Sequence, residues 1–254
     1  MPEALLTRPL LEAARAILGW RLVRDGGSDA SGRRVGRIVE VEAYGDEHDP
    51  ASHARFGQTA RNEVMFGPPG RAYVYLVYGM HDCLNVVTGP IGTPSALLVR
   101  AVEPIEGVAE MRAARARRGR ERRRTDTTSA RPPSARPPSI PDVRLASGPG
   151  LVCAAFDLDR SLTGTDLFDL RSAVRIEPPP ADEPPPVILR GPRVGIAYAG
   201  QPSIELPWRF AIAANPAISR PPLDPPDPSA ARPVENAQPV ADGRPVDNAL
   251  PGDD

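Results

Sequence analysis

Residues 36–45 read "GRIVEVEAYG", a strand whose two faces disagree. From Ile38 to Tyr44 the pattern alternates, so Val39, Val41 and Ala43 share one face and Glu40, Glu42 and Tyr44 the other. The first is a core face. The second carries two carboxylates and an aromatic ring, and His53 lies in the loop that follows. Carboxylates on a strand face are ordinarily solvated. Arg100 argues against that here, because it sits inside Leu97, Leu98, Val99, Ala101 and Val102, where an unpaired guanidinium is costly. Its natural partner is a carboxylate from a neighbouring strand, forming either a structural salt bridge or a pair that holds one water. Periodicity alone does not choose between Glu40 and Glu42.

On either side of this strand the chain alternates between apolar periodicity and proline. Leu10, Leu11, Ala14, Ile17, Leu18 and Leu22 recur at helical spacing, with Thr7 as a candidate cap and Pro9 near the first turn. "RAYVYLVYGMHDCLNVVT" reads as a hairpin turning at Gly79 and Met80, and "ALLVRAV" as a strong strand ended by Pro104. Residues 108–124 are helical in pattern and rich in arginine. A further structured stretch runs from about 144 to 176, and "VILRGPRVGIAYAG" and "PWRFAIA" supply two last strands. Of the 33 prolines, 21 cluster in 125–141, 178–186 and 216–254. The composition therefore predicts one domain over 1–216, with disordered inserts near 125–142 and 178–187, and a disordered acidic tail over 217–254.

The net charge of −1 hides an asymmetry: from Pro221 onward 7 acidic residues face 2 arginines, leaving the rest of the chain at +4. Every basic residue is arginine, so no lysine is available as an amine nucleophile. Two cysteines, Cys83 and Cys153, are too few for a disulfide framework or a four-cysteine zinc site. Glu12 and Arg15 interrupt any signal-peptide core, and no stretch is long enough to span a bilayer. A cytoplasmic protein is the expectation.

His48, His53, His81 and Cys83 match no zinc spacing, and the paired-cysteine motif of a zinc deaminase is absent. No metal is expected. Tyr73 and Tyr75 share one strand face, whereas Tyr78 lies on the other and abuts the turn, where a ring packs poorly but serves well as a wedge. The arginine run is a solvated helix face or, with the basic main body, a nucleic-acid footprint.

"RIVEVEAYG…DPASHA", "TARNEVMFGPPGRAYVYLVYGMHDCLNVV", "LLVRAVEP", "GPG" at 148–150 and "PRVGI…PWRF" together resemble the alkyladenine (3-methyladenine) DNA glycosylase family, from about Leu10 to Phe210. The resemblance implies a mixed α/β (α+β) single domain: a curved antiparallel sheet with surrounding helices and a protruding β-hairpin. It implies a monofunctional enzyme that takes damaged purines from double-stranded DNA without metal or organic cofactor. A monomer, working on the nucleoid, is expected. Carried over, the catalytic glutamate falls on Glu42 and the arginine beside the attacking water on Arg100. The rings around the flipped base fall on Tyr44, His53 and Tyr75, the asparagine at its edge on Asn85, and the intercalating tip on Tyr78 with Met80. The chain departs from the family's pattern at Leu151-Val152 and Ala197-Tyr198, where basic residues are usual, and Asp82 beside the tip would repel phosphate. Three other readings compete: a glycosylase-lyase using Pro2 as an amine, a non-catalytic nucleic-acid-binding module on the same fold, and a scaffold acting through its tail.

Overall fold

In a computed structural model the chain is described over residues 3–26, 32–77, 79–125 and 140–223. Its centre is the strand that opened the sequence reading. Strand β2, Arg34–Tyr44, pairs along one edge with β5, Ser95–Glu106. The other edge is shared: Arg34 to Arg37 pair with β1, Arg21–Arg24, and Glu40 to Glu42 with β8, Arg209–Ile212. All pairings are antiparallel, and the sheet runs β3-β4-β5-β2-β1-β6, with β3 Ala72–Val77, β4 His81–Thr88 and β6 Val174–Glu177. Strand β7, Ile188–Gly191, pairs only with β8. One strand cannot keep two neighbours on the same edge in a flat sheet, so β2 divides them and the sheet curls. The result is a single mixed α/β domain built on a curled antiparallel sheet.

Helices seal the apolar side. Before β1 come α1, Glu3–Leu6, and α2, Leu10–Ala16, whose Ala13 and Ala14 are buried. Pro9 occupies the N-cap of α2 and, being proline, offers no side-chain cap bond of its own. Leu22 does not continue the helix: Gly19, at φ +93°, turns the chain, and Leu22 joins the core from β1. Helix α3, Val108–Thr125, follows β5, and α4, Pro149–Phe156, buries Val152, Cys153, Ala155 and Phe156 under β4 and β5. Gly36 lets these layers close up, since a Cβ there would sit 2.8 Å from the Glu103 carbonyl oxygen and 3.0 Å from the Phe156 ring.

Three expectations need correction. Strand β5 runs through Pro104 to Glu106, because Pro104 stands opposite Gly36 at a register irregularity where its missing N–H does no harm. The proline-rich segment 178–187 is a placed loop rather than a disordered insert, since Glu183 bonds Arg21 and pairs with Arg37 at 2.8 Å. The packed chain also continues beyond residue 216: Ala217 and Ser219 are buried. Residues 126–139 and 224–254, where the other insert and most of the tail were expected, lie outside the described residues. Among those described, no helix is long and apolar enough to cross a membrane.

Candidate active site

Glu40 and Glu42 are both wholly buried, so neither is a solvated strand carboxylate. Between the pairs Glu40↔Ala101 and Val41↔Val99 the ladder skips Arg100, a bulge that re-aims its side chain. The guanidinium then reaches both acids, with Nε 3.0 Å from Glu40 Oε1 and Nη1 3.2 Å from Glu42 Oε1. The two carboxylates part company in their remaining contacts. Glu40 Oε1 accepts from Arg209 Nε at 2.6 Å and from the Ser219 hydroxyl at 2.8 Å, and its Oε2 from the Ser219 amide at 2.6 Å. Glu42 accepts from the Val194 amide at 2.7 Å and from the Tyr44 hydroxyl at 2.9 Å. Burial lifts the pKa of Glu42 above its ordinary value, and Arg100 and these two donors only partly offset it.

Beside Tyr44 and Val194, which both donate to Glu42, opens a cavity of about 510 Å3, within the usual range of roughly 300–1,000 Å3 for small-ligand sites. Tyr44, His53, Tyr73, Tyr75, Asn85 and Arg100 all line it. Tyr73 and Tyr75, two apart on β3, present their rings to His53, whose ring stands edge-on to Tyr75 at 4.4 Å and to Tyr73 at 5.9 Å. The Tyr73 hydroxyl and His53 Nδ1 are 2.8 Å apart. Burial, with Arg61 and Arg55 nearby, drops the His53 pKa to about 4, so the imidazole is neutral at physiological pH. Asn85 is oriented by donating from Nδ2 to the carbonyls of Tyr73 and Cys83.

The loop after β7 supports this arrangement from behind. Arg193, buried in that loop, bonds both oxygens of Asp49 at 2.6 and 2.9 Å and the Ala43 carbonyl at 3.0 Å. Its guanidinium lies 4.9 Å from the Tyr44 ring and 4.9 Å from the Trp208 ring. Tyr44 is therefore held at both ends, by Glu42 at the hydroxyl and by Arg193 at the ring.

Of the candidate site residues, Arg100, Tyr44, His53, Tyr75 and Asn85 line this cavity, and Glu42 lies behind the lining, bonded to Tyr44 and to the Val194 amide. Met80 is not among them; it is exposed at the hairpin tip. Tyr78 lies outside the described residues. Asp82 is less repulsive than expected, because Arg118 bonds it at 3.1 Å and Arg160 stands at 3.8 Å. Four arginines of the run are engaged within the chain: Arg112 with Asp142, Arg115 with the Arg144 and Leu145 carbonyls, Arg117 with Asp157, and Arg118 with Asp82 and Asp157. That half of the helix is a structural clasp. Among the described residues no three His, Cys, Asp or Glu side chains gather as a metal site would require.

Sequence reasoning missed Arg193, Asp49, the Val194 amide, Arg209 and Ser219. An arginine flanked by Pro192 and Val194 hinted at burial, as Arg100 did, but nothing local points to Asp49 as its partner. The Val194 amide is a backbone group and leaves no compositional trace.

Residues 4–216 match the model of a family described as Methylpurine-DNA glycosylase (MPG), and the chain belongs to that family. It is a DNA glycosylase, with DNA as its substrate. It is 42% identical over 239 residues to a protein of Anaeromyxobacter dehalogenans (strain 2CP-1), covering 91% of this chain and 90% of the relative. A protein of Methanocella arvoryzae is 42% identical over 220 residues, 87% of this chain and 96% of its own. One of Bacillus cereus (strain B4264) is 38% identical over 225 residues, 86% and 98%. All three are named, provisionally, as 3-methyladenine DNA glycosylases.

Proposed function

We propose that the protein removes alkylated or deaminated purines from duplex DNA as a monomeric, monofunctional glycosylase, with Glu42 activating the attacking water. The observation that carries this is the union of a buried Glu42–Arg100 pair with the aromatic cavity formed by Tyr44, His53 and Tyr75. A base within a duplex is out of reach, so the damaged nucleotide is flipped into the cavity at a cost of a few kcal/mol. Stacking on aromatic rings returns about 1–3 kcal/mol per base. The wedge that fills the gap is Tyr78, with Met80 beside it.

Charge favours damaged purines. Many alkylated purines are cationic, and a neutral His53 beside the Tyr73 and Tyr75 rings adds no charge of its own to repel them. Asn85, fixed by its two carbonyl contacts and lining the cavity, is assigned the exclusion of undamaged guanine through its exocyclic amine. As the glycosidic bond lengthens, positive charge grows on the sugar. Ionised Glu42 stabilises that charge and takes a proton from the water held beside Arg100, a contribution of about 10²–10⁴ in rate for the proton transfer. The product is a free base and an intact strand with an abasic site.

The test is incubation with duplexes carrying hypoxanthine or 7-methylguanine, followed by an assay for abasic sites. Release from both, with no adduct after borohydride, is the expected result. A borohydride-trapped adduct would establish a lyase acting through an amine, and tight binding without release would establish a binding module.

A further inference from the structure

The family match ends at residue 216, yet the chain immediately beyond it enters the catalytic network. Residues 217–223 form a strap across the far end of the Glu40–Arg100 pair. Arg144 Nη1 donates to the Ile218 carbonyl at 2.8 Å, and the Ser147 hydroxyl donates to the same oxygen at 3.0 Å. Arg209 Nη2 donates to the Ser219 and Pro221 carbonyls at 3.2 and 2.6 Å. The Leu223 side chain fills the space that a Cβ on Gly191 would occupy.

At the centre of the strap is Ser219, only 2% exposed. Its hydroxyl donates to Glu40 Oε1 at 2.8 Å and accepts from Arg100 Nη2 at 3.1 Å, while its amide donates to Glu40 Oε2 at 2.6 Å. Arg100 thus has three anchors. Nε is held by Glu40, Nη2 by Ser219, and Nη1 alone is left for Glu42. A guanidinium is a rigid plane, so fixing two of its nitrogens fixes the direction of the third.

We infer that Ser219 is a positioning residue for the glycosylase reaction, and that the strap of residues 217–223 is part of the active site's supporting structure. Ser219 is buried and acts through Arg100. This inference rests on the role proposed for Glu42 and Arg100, but one of its consequences can be read without any substrate. If Arg100 loosens, Glu42 loses part of the opposing charge that restrains its pKa. The other groups acting on Glu42 from around it are Glu40, the Tyr44 hydroxyl, the Val194 amide, and the rings and thiol of Tyr75 and Cys83. None of these contacts Ser219 except Glu40, which keeps the Ser219 amide and Arg209 in the alanine variant.

Three full-length variants and one truncation test it: Ser219→Ala, Ser219→Thr, Glu42→Gln as the assignment control, and removal of 224–254. Glu42 is titrated by carboxyl-carbon NMR with labelled glutamate, and excision is followed at saturating and limiting DNA. Ser219→Ala should raise the Glu42 pKa and move the acid limb of excision the same way. It should lower kcat about tenfold, the scale of one hydrogen bond to a charged group, with little change in KM. Ser219→Thr, which keeps the hydroxyl, should restore both, and the truncation should resemble the wild type. An unchanged Glu42 titration with unchanged kcat in a folded Ser219→Ala protein would overturn the inference. So would equal losses in the alanine and threonine variants. A wild type that excises nothing would overturn the function proposed above, while the carboxyl titration would still decide the role of Ser219.

Discussion

Glu40 and Glu42 stand two residues apart on one face of one strand, both fully buried and both touching the same arginine. Their surroundings differ in kind. Glu40 is closed over by Arg209 and the strap, so every direction from its carboxylate meets protein donors. Glu42 is held by Tyr44 and the Val194 amide, and both of those residues line the cavity. The same residue type on the same face thus yields an enclosed strut in one place and, in the role proposed for Glu42, a base in the other. What separates them is which segment packs over β2: residues 217–223 over Glu40, the loop 192–196 beside Glu42.

Exchanging each acid for its amide breaks this comparison most sharply. Glu42→Gln leaves Arg100 paired with Glu40, so the fold should be unaffected. Excision should fall by about 10²–10⁴ as the base is lost, while damaged duplex still binds. Glu40→Gln leaves the buried Arg209 with backbone carbonyls and an amide in place of its carboxylate, and should cost about 3–5 kcal/mol of stability. Thermal melting and single-turnover excision on both variants separate the roles. A stable, inactive Glu40→Gln protein beside an active Glu42→Gln protein would reverse them.

That contrast also marks what was legible in the sequence. The alternation from Ile38 to Tyr44 and the charge buried within "LLVRAV" located β2, β5 and their ionic contact before any coordinates. Local patterns carry such information because side-chain direction along a strand follows its period. The choice between the two glutamates was not local. It depends on Val194 and Ser219, more than 150 residues away, which reach β2 only through the curl of the sheet. Composition misled at the C-terminus for a related reason: "ISRPPL" reads as a tail, yet four of its residues lean on Arg144, Arg209 and Gly191. The hairpin was plain from its turn, and the engagement of half the arginine helix was not.

The acid limb of excision sharpens the comparison on the pH axis. Glu42 acts as a base only when ionised, and its folded pKa lies above the ordinary 4.5 because of burial. Activity should therefore fall, as pH drops, at a higher pH than for an exposed glutamate. Because the folded pKa is raised, protonated Glu42 favours the folded state at low pH, and that stability is lost as pH rises through the folded value. His53 has the opposite sign. Its pKa is lowered from 6.5 to about 4, so its contribution to stability is present above 6.5 and lost as pH falls toward 4. No limb near 6.5 should appear in kcat/KM. A His53→Gln variant that removes a limb near that pH would show the imidazole to be exposed and titrating.

Tyr78 tests the handling of the duplex rather than of the bond. If its ring fills the gap left by the flipped nucleotide, Tyr78→Ala should weaken capture of a paired damaged base by about 1–3 kcal/mol, the worth of one stacking contact. The loss should shrink when the damaged base is mispaired, because less is spent on opening the pair. A drop in melting temperature with equal losses on both substrates would instead make Tyr78 a core residue.

The smallest effect belongs to the residues past the strap. Segment 224–254 holds 7 acidic residues and 2 arginines and is dominated by proline and small or polar side chains, a composition that cannot bury a core. Its removal should leave melting temperature and excision of a saturating substrate as they are. Taking away a balance of −5 reduces repulsion between the protein and phosphates, so non-specific binding should tighten slightly at low salt. The gain should vanish as salt rises, because exposed charges more than about 8–10 Å apart are screened at physiological ionic strength. Cutting seven residues earlier, after Pro216, removes Ser219 and Leu223 and should cost activity at every salt concentration. A salt-independent change on removing 224–254 alone would mean that the tail packs against the domain, and the boundary of the strap would move beyond Leu223.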